Sequence, residues 1–390
     1  MRAALLATVA QVVLFLLAAV APRPAAAEPR FALRQGAPCA MCHVDPAGGG
    51  MRNDYGRGVY SAAKLAADWA TPAAGQGVFD GRLSDGVAAG SDVRLLYQHL
   101  HRSDADQPRM DSFYLMQAAL YVGADLSPST TLYVAPTFHG GQEVTVAASA
   151  LVRLPVEGAY IRAGRFTPAY GLKLVNHSTF VRKQLGVGLR AEDAGVELGW
   201  DAGPASIQLS AVNGAADGSD GWDDNQLMGF WGRVAHRFGG PRLRLLAGAS
   251  GGHTVTGLGP DEDPRGDEGR VADQRAGVFG GLSAGRLAWL GEVDLRRYDD
   301  LAEERAVTSM VSYQELALIA VRGLEFAVTY ELWDPDTTVE DDAVHRVGGG
   351  VRLFALVGTE LAASYRYAIA DSRTGMSGLH EAYGVAHVFF

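Results

Sequence analysis

The chain runs to 390 residues and holds only two cysteines, so a disulfide framework is excluded. After the apolar stretch at residues 3–20, no segment approaches the ~20 consecutive apolar residues that a membrane helix needs. No repeat of fixed period is present, which argues against a solenoid. Positive charge is in deficit: the formal net charge is −10, nothing resembles a basic nucleic-acid patch, and nucleic acid is not an expected partner. The acidic runs lack the fixed ligand spacing of a calcium loop. Large apolar residues are scarce between residues 28 and 90, where Tyr60, Trp69 and Phe79 stand out among many glycines and alanines. Such a segment cannot build its own core and must pack against something else.

What is present begins with a leader. Arg2, the apolar run Ala3 to Val20 and the small triplet Ala25-Ala26-Ala27 read as a secretory signal peptide over 1–27, cut after Ala27. Pro22 and Pro24 break the helix and argue against an uncleaved anchor. The mature chain is therefore expected in an oxidising compartment.

Both cysteines fall in the stretch GAPCAMCHVDPAGGGM, residues 36–51. Cys39, Cys42 and His43 form Cys-x-x-Cys-His, the attachment pattern of a c-type haem. Two thiols on about one helical turn reach the two vinyl groups of one porphyrin, and the following histidine is placed to ligate the iron. The competing reading is a redox or inert disulfide, but a thioredoxin-like site needs a surrounding βαβ pattern, which is lacking. The sixth ligand is open. Met51 follows the glycine triplet Gly48-Gly49-Gly50, and the eight intervening residues can extend ~26 Å, enough to round a porphyrin edge. A thioether opposite histidine would raise the reduction potential. His177 is the rival donor, and a five-coordinate iron is the third possibility.

From Asp92 onward the chain alternates with a period of two. Val144, Val146, Ala148, Ala150, Val152 and Leu154 share one face, against Glu143, Thr145, Ser149 and Arg153. Phe326, Val328, Tyr330 and Leu332 oppose Glu325, Thr329 and Glu331. Ala382, Gly384, Ala386, Val388 and Phe390 oppose Glu381, Tyr383 and His387. Strands with one oily and one charged side, separated alternately by short turns and longer polar loops, are the signature of a transmembrane β-barrel. The fold class is thus all-β: an antiparallel transmembrane barrel of about 16 strands over residues 91–390, with the haem-binding segment 28–90 as plug or cap. The short turns and both barrel ends belong in the periplasm.

Two charge groups lie on this barrel. Acidic residues collect in the long loops, from Asp217 through Asp224, Asp261 through Glu268, Asp299 through Glu304, and Asp334 through Asp342. They read as solvated surface, or as a field that gathers cations such as Fe²⁺. Arg162, Arg165, Lys173, His177, Arg182, Lys183 and Arg190 form a basic lumen-side cluster. It reads as an anion-selecting constriction, as contacts to haem propionates or to acids of the plug, or as cross-lumen charge balance.

A Cys-x-x-Cys-His motif just after a signal peptide, joined to a barrel that ends in Phe390, resembles the fused cytochrome–porins of outer membranes, whose best-known members are iron-oxidising cytochromes. The likeness rests on the architecture of the whole mature chain and on Cys39, Cys42 and His43. The stretch AGRFTPAYGLKL is similar, more weakly, to phosphate-selective porins. The resemblance implies one covalent haem c in the outer membrane of a Gram-negative cell, with the N-terminus on the periplasmic side. It implies electron transfer across that membrane, with extracellular Fe(II) as a possible donor and an iron-oxidase activity as a possible consequence. The implied partners are outer-membrane lipid, periplasmic carriers such as cytochromes c or copper proteins, and an extracellular electron donor or acceptor. The alternatives are a haem-carrying porin for small, phosphate-like anions, and a barrel that uses haem only as a sensor.

Overall fold

The computed structural model describes residues 29–70, 81–102, 110–140, 144–188, 191–214, 227–256, 271–300, 305–370 and 376–390. The expected signal peptide, Phe79, Arg190 and the acidic residues Asp217–Asp224, Asp261–Glu268, Glu303 and Glu304 lie outside the described residues.

The strands are β1 Arg82–Ser84, β2 Val87–Arg102, β3 Met110–Ser127, β4 Thr130–His139, β5 Val144–Arg153, β6 Ala159–Phe166, β7 Asp193–Ala202, β8 Ala205–Val212 and β9 Gly229–Gly240. They continue as β10 Leu243–Thr256, β11 Val271–Ala284, β12 Leu287–Asp300, β13 Arg305–Val321, β14 Leu324–Asp334, β15 Val344–Leu353, β16 Thr359–Ala370 and β17 Leu379–Phe389. Each long strand pairs antiparallel with the next. The ring closes where Phe389 of β17 stands opposite Asp92 of β2. Of the 17 strands in the sheet among the described residues, only β1, a three-residue hairpin partner of β2, is not a stave, which leaves 16 in the wall. No helix of the described residues is long and apolar enough to cross a membrane.

Period-two sequence dictates this wall. Val144, Val146, Val152, Phe326, Val328 and Val388 are exposed on its outside, whereas Glu325, Glu331, Glu381 and His387 are buried on its inside. Outward apolar and inward charged residues suit a wall bathed by hydrocarbon outside and polar within. The inward charges are tied together: Arg346 donates to Glu331 at 2.7 Å and to Glu381 at 3.2 Å, and Arg366 bridges to Glu381 at 3.1 Å. The wall starts at Val87, a few residues ahead of the boundary expected at 91. Ala88, Ala89 and Gly90 are too small to register as an oily face, so the start of the strand is silent in the sequence.

The connection 167–191, expected from its sequence as a long polar loop, folds inward over its described residues 167–188. Its Tyr170, Phe180, Val181, Leu185 and Val187 pack on Val311, Tyr313 and Val344 of the wall. Backbone N–H groups fix it to lumen carboxylates: Leu172 to Glu292 at 2.9 Å and Phe180 to Glu331 at 2.7 Å. A Cβ on Gly171, which has φ +50°, would collide with the Glu292 carboxylate, so the close approach needs glycine there.

Residues 29–70 lie inside the ring at the end of the short turns. Helix α1 (Pro29–Gln35) buries Phe31 and Leu33, and Arg30 bridges to Glu315 at 3.1 Å while Arg34 pairs with Glu325. Leu33 packs among Leu246, Phe279 and Leu290 of the wall. At the far end of the segment the Ala67 N–H donates to Phe354 O at 2.9 Å in the β15–β16 turn. Trp69, read from sequence as an anchor, is 69 % exposed; its indole N–H reaches Ala355 O at 3.1 Å, but its ring stays outside the core. The buried anchors are Phe31, Leu33, Met51 and Tyr60.

Candidate functional site

The local sequence explains how the two cysteines are presented. Helix α1 ends at Gly36, whose φ of +71° lets Gly36 N–H reach Leu33 O at 3.1 Å and Ala37 N–H reach Ala32 O at 3.0 Å, the closing pattern of a glycine-capped helix. Pro38 then holds an extended backbone and Cys39–Met41 make a tight 3-10 turn. The N–H groups of Cys42 and His43 both donate to Cys39 O at 3.1 Å, so one turn gathers Cys39, Cys42 and His43. The chain next doubles back through Gly48-Gly49-Gly50, all with positive φ, and His43 comes to lie opposite Arg52. A Cβ on Gly48 would stand 2.9 Å from the Cys39 Cβ, too close for any other residue without a shift.

Asn53 locks the arrangement. Its side-chain amide donates to Ala40 O at 3.0 Å and Met41 O at 2.9 Å, its own N–H donates to Cys42 O at 2.9 Å, and its Oδ1 accepts from Gly56 N–H at 3.0 Å. It thereby joins the cysteine turn to the π-helical run Tyr55–Leu65. Sequence reading missed Asn53 and Gly56. Their signal is only that short polar and glycine residues follow the motif closely, where a turn needs a local hydrogen-bonding side chain.

Cys39, Cys42 and His43 line a cavity between plug and wall together with Phe31, Leu172, Leu246, Phe354 and Phe389. Arg52, Lys173, Arg233 and Arg237 supply cations to the same lining. Both cysteines are free thiols. Burial raises the Cys39 thiol, against the pull of Arg233, and pushes Cys42 up to about 12, so both are protonated and shielded near neutral pH. The donor set matches a covalent porphyrin in kind: two thiols, an imidazole, apolar faces for a flat ring and cations for its carboxylates. The gap measures about 140 Å³, below the usual ~300–1,000 Å³ of small-molecule pockets, so a ring would fit only if lining side chains such as Lys173, Arg233 and Arg237 gave way.

Neither proposed sixth ligand shares that cavity. In the antiparallel return His43 opposes Arg52, and the Val44 N–H donates to Met51 O at 3.0 Å; Met51 lies outside that cavity's lining, but with His43 and Val44 it lines a second gap of about 680 Å³. Met51 is 2 % exposed and packs with Val44 on Ala119, Tyr121 and Ala135 of the wall. His177 sits on the inward loop and lines a separate, larger lumen cavity. Burial, with Arg94 and Arg182 nearby, pulls its pKa down to about 3.

The basic cluster is not one unit. Arg162 donates to Asp45 of the plug at 2.8 Å and to Glu197 of the wall at 2.9 Å, and Lys173 reaches Asp45 at 3.4 Å. Those two cations contact an acid of the plug, one of the alternatives open at the sequence level. Burial alone would raise the Asp45 carboxyl, but Arg162 and Lys173 outweigh it and hold the group below its ordinary value.

No protein-family model matches the chain, and no curated protein matches it. Solved structures do. The chain is similar to OmpT, an outer-membrane protein of Vibrio cholerae, at 12 % identity and TM-score 0.56, covering 79 % of this chain and 99 % of that one. An anion-selective porin from Comamonas acidovorans matches at 10 % identity and TM-score 0.57, over 78 % of this chain and 99 % of the other. OprB of Pseudomonas putida matches at 8 % identity and TM-score 0.59, over 78 % and 94 %. The wall has the fold of an outer-membrane porin. At these identities the likeness is one of fold, and the porin fold carries no motif that accounts for Cys39, Cys42 and His43.

Proposed function

We propose that this porin-fold chain sits in the outer membrane with its short turns and plug toward the periplasm, and carries one haem c on Cys39 and Cys42 with His43 on the iron. In this reading it passes electrons between a periplasmic carrier and a donor or acceptor outside, with Fe²⁺ as the leading donor. The observation that carries the proposal is the single turn that presents both thiols and the imidazole to one cavity with apolar walls and a cationic rim. A bound haem supplies one-electron transfer, which needs no shaped substrate pocket. The protein's part is to bind and insulate: Asn53 holds the turn, Phe31 and Phe354 exclude water, and Arg52 and Arg233 can meet propionates. Met51 serves here as a packing anchor of the plug.

Purified protein tests the cofactor directly through a haem-stained band and a c-type absorption spectrum. Stopped-flow mixing of the oxidised protein with Fe²⁺ tests the donor: reduction of the haem is expected. No reduction across pH 3–7 in a protein that conducts phosphate would replace electron transfer with the reading of a haem-bearing pore for small anions.

A further inference from the structure

The lumen beyond the plug holds a cavity of about 650 Å³ roofed by the inward loop. Its carboxylates are engaged. Glu315 and Glu325 bind Arg30 and Arg34, Glu331 binds Arg346, and Glu360 accepts from His387 at 2.9 Å. Its loop cations are not. Arg182, on the short helix α2 (Phe180–Lys183), is only 7 % exposed and lines the cavity; its backbone N–H donates to Thr179 O at 3.0 Å, yet among the described residues its guanidinium makes no hydrogen bond or ion pair. Glu292 and Asp294 stand in its neighbourhood, but Glu292 accepts from the Leu172 N–H and Asp294 from the Tyr170 hydroxyl, and neither is within ion-pair distance of Arg182. Burial pulls Arg182 down to about 10, which leaves it cationic at neutral pH. Lys183 is exposed beside it and lines the same cavity, its ammonium without a hydrogen-bond or ion-pair partner among the described residues. His177 lines it too, and its Nε2 makes no hydrogen bond there.

A buried guanidinium whose N–H groups have no direct partner is costly to keep, and a bound anion can satisfy it at closer range than Glu292 and Asp294 do. We propose that Arg182, Lys183 and His177 form a binding site for a small oxyanion, phosphate-like in size and charge. The planar guanidinium grips two oxygens at once, the ammonium adds a point charge, and the neutral imidazole offers one further hydrogen bond. The latches of the inward loop, Leu172 to Glu292 and Phe180 to Glu331, hold the three side chains in place before the anion arrives. The plug occupies the opposite end of the lumen, so the anion enters from the end of the long loops. The site is independent of the haem.

Titration calorimetry of the full-length, detergent-folded protein with inorganic phosphate tests it. Saturable binding of one phosphate per chain is expected. Arg182→Gln should weaken it at least roughly tenfold and Lys183→Gln about threefold, in line with a bidentate charged contact and a screened point charge. Because Lys183 is exposed, its variant folds whatever becomes of Arg182→Gln, and heat-modifiable mobility checks both. The Cys39→Ser/Cys42→Ser variant should bind phosphate as the wild type does. No saturable phosphate binding by wild type, or unchanged affinity in folded Lys183→Gln, would overturn the site.

Discussion

Strand β14 and the plug segment 29–70 both bury charge against the lumen, but they depend on their surroundings in different ways. In β14 the apolar Phe326 and Val328 face outward, and Glu325 and Glu331 face cations within. Every stave is paired on both sides by neighbours, mostly consecutive ones, so the wall is complete without the plug. The plug has four large buried anchors, and all of them pack on the wall or within a few turns of it. Its charges too are matched by the wall, Arg34 by Glu325 and Asp45 by Arg162. The wall is therefore a scaffold in its own right, whereas the plug is a ligand of that scaffold that happens to be covalently joined to it.

The largest expected effect comes from removing one partner entirely. A chain lacking residues 28–80 should still form a heat-modifiable barrel, because no stave is lost. Its single-channel conductance in planar bilayers should rise several-fold, since a wall of 16 strands leaves an aqueous channel when nothing fills it. Unchanged conductance would mean that the segment does not obstruct the lumen.

Next in size is the buried pair at the foot of α1. Glu325→Gln leaves Arg34 without its carboxylate partner, while Arg30 keeps Glu315, and should loosen the plug by about 3–5 kcal/mol, whereas Arg34→Met with Glu325→Leu should cost much less. Hydrogen exchange of the N–H groups in α1 reads the difference, and equal loosening in both variants would argue against a paired anchor. Met51→Ala opens a hole between plug and wall and should cost about 2–5 kcal/mol of plug docking. It should leave a haem absorption spectrum unchanged, in contrast to the shift expected if Met51 ligated the iron. The smallest effect is with acid. Asp45 is held below its ordinary value of 3.8, so its contribution is present above the unfolded pKa and lost as the pH falls through the folded one. Plug protection from protease should fall below about pH 4 in wild type, and less so in Asp45→Asn.

The same contrast explains what was legible in the sequence. Alternation in Val144 to Val152 or Leu324 to Trp333 announces a stave, because each residue's face is set by its neighbours in the chain. The dependent parts were not announced. Nothing local tells that Met51 packs on Ala119 and Tyr121, since that follows from a hairpin register and from a wall remote in sequence. Trp69 looked like an anchor by size and is exposed, because its position past the last buried turn of the plug was invisible. The inward loop carried a signal that composition concealed: Leu172, Phe180, Val181, Leu185 and Val187 are too apolar for a loop in water, yet they are interspersed with Lys173, Arg182 and Lys183. The motif itself was legible because Cys39, Cys42 and His43 are local to one turn, and Asn53 was not because its role is to hold that turn from outside.

The most direct test is mass spectrometry of the peptide spanning residues 36–52 from protein matured in a host that attaches c-type haem. The account predicts a haem-modified peptide in wild type, and none in Cys39→Ser/Cys42→Ser, whose barrel still forms. An unmodified peptide with free thiols in wild type, or with a Cys39–Cys42 disulfide, would contradict it.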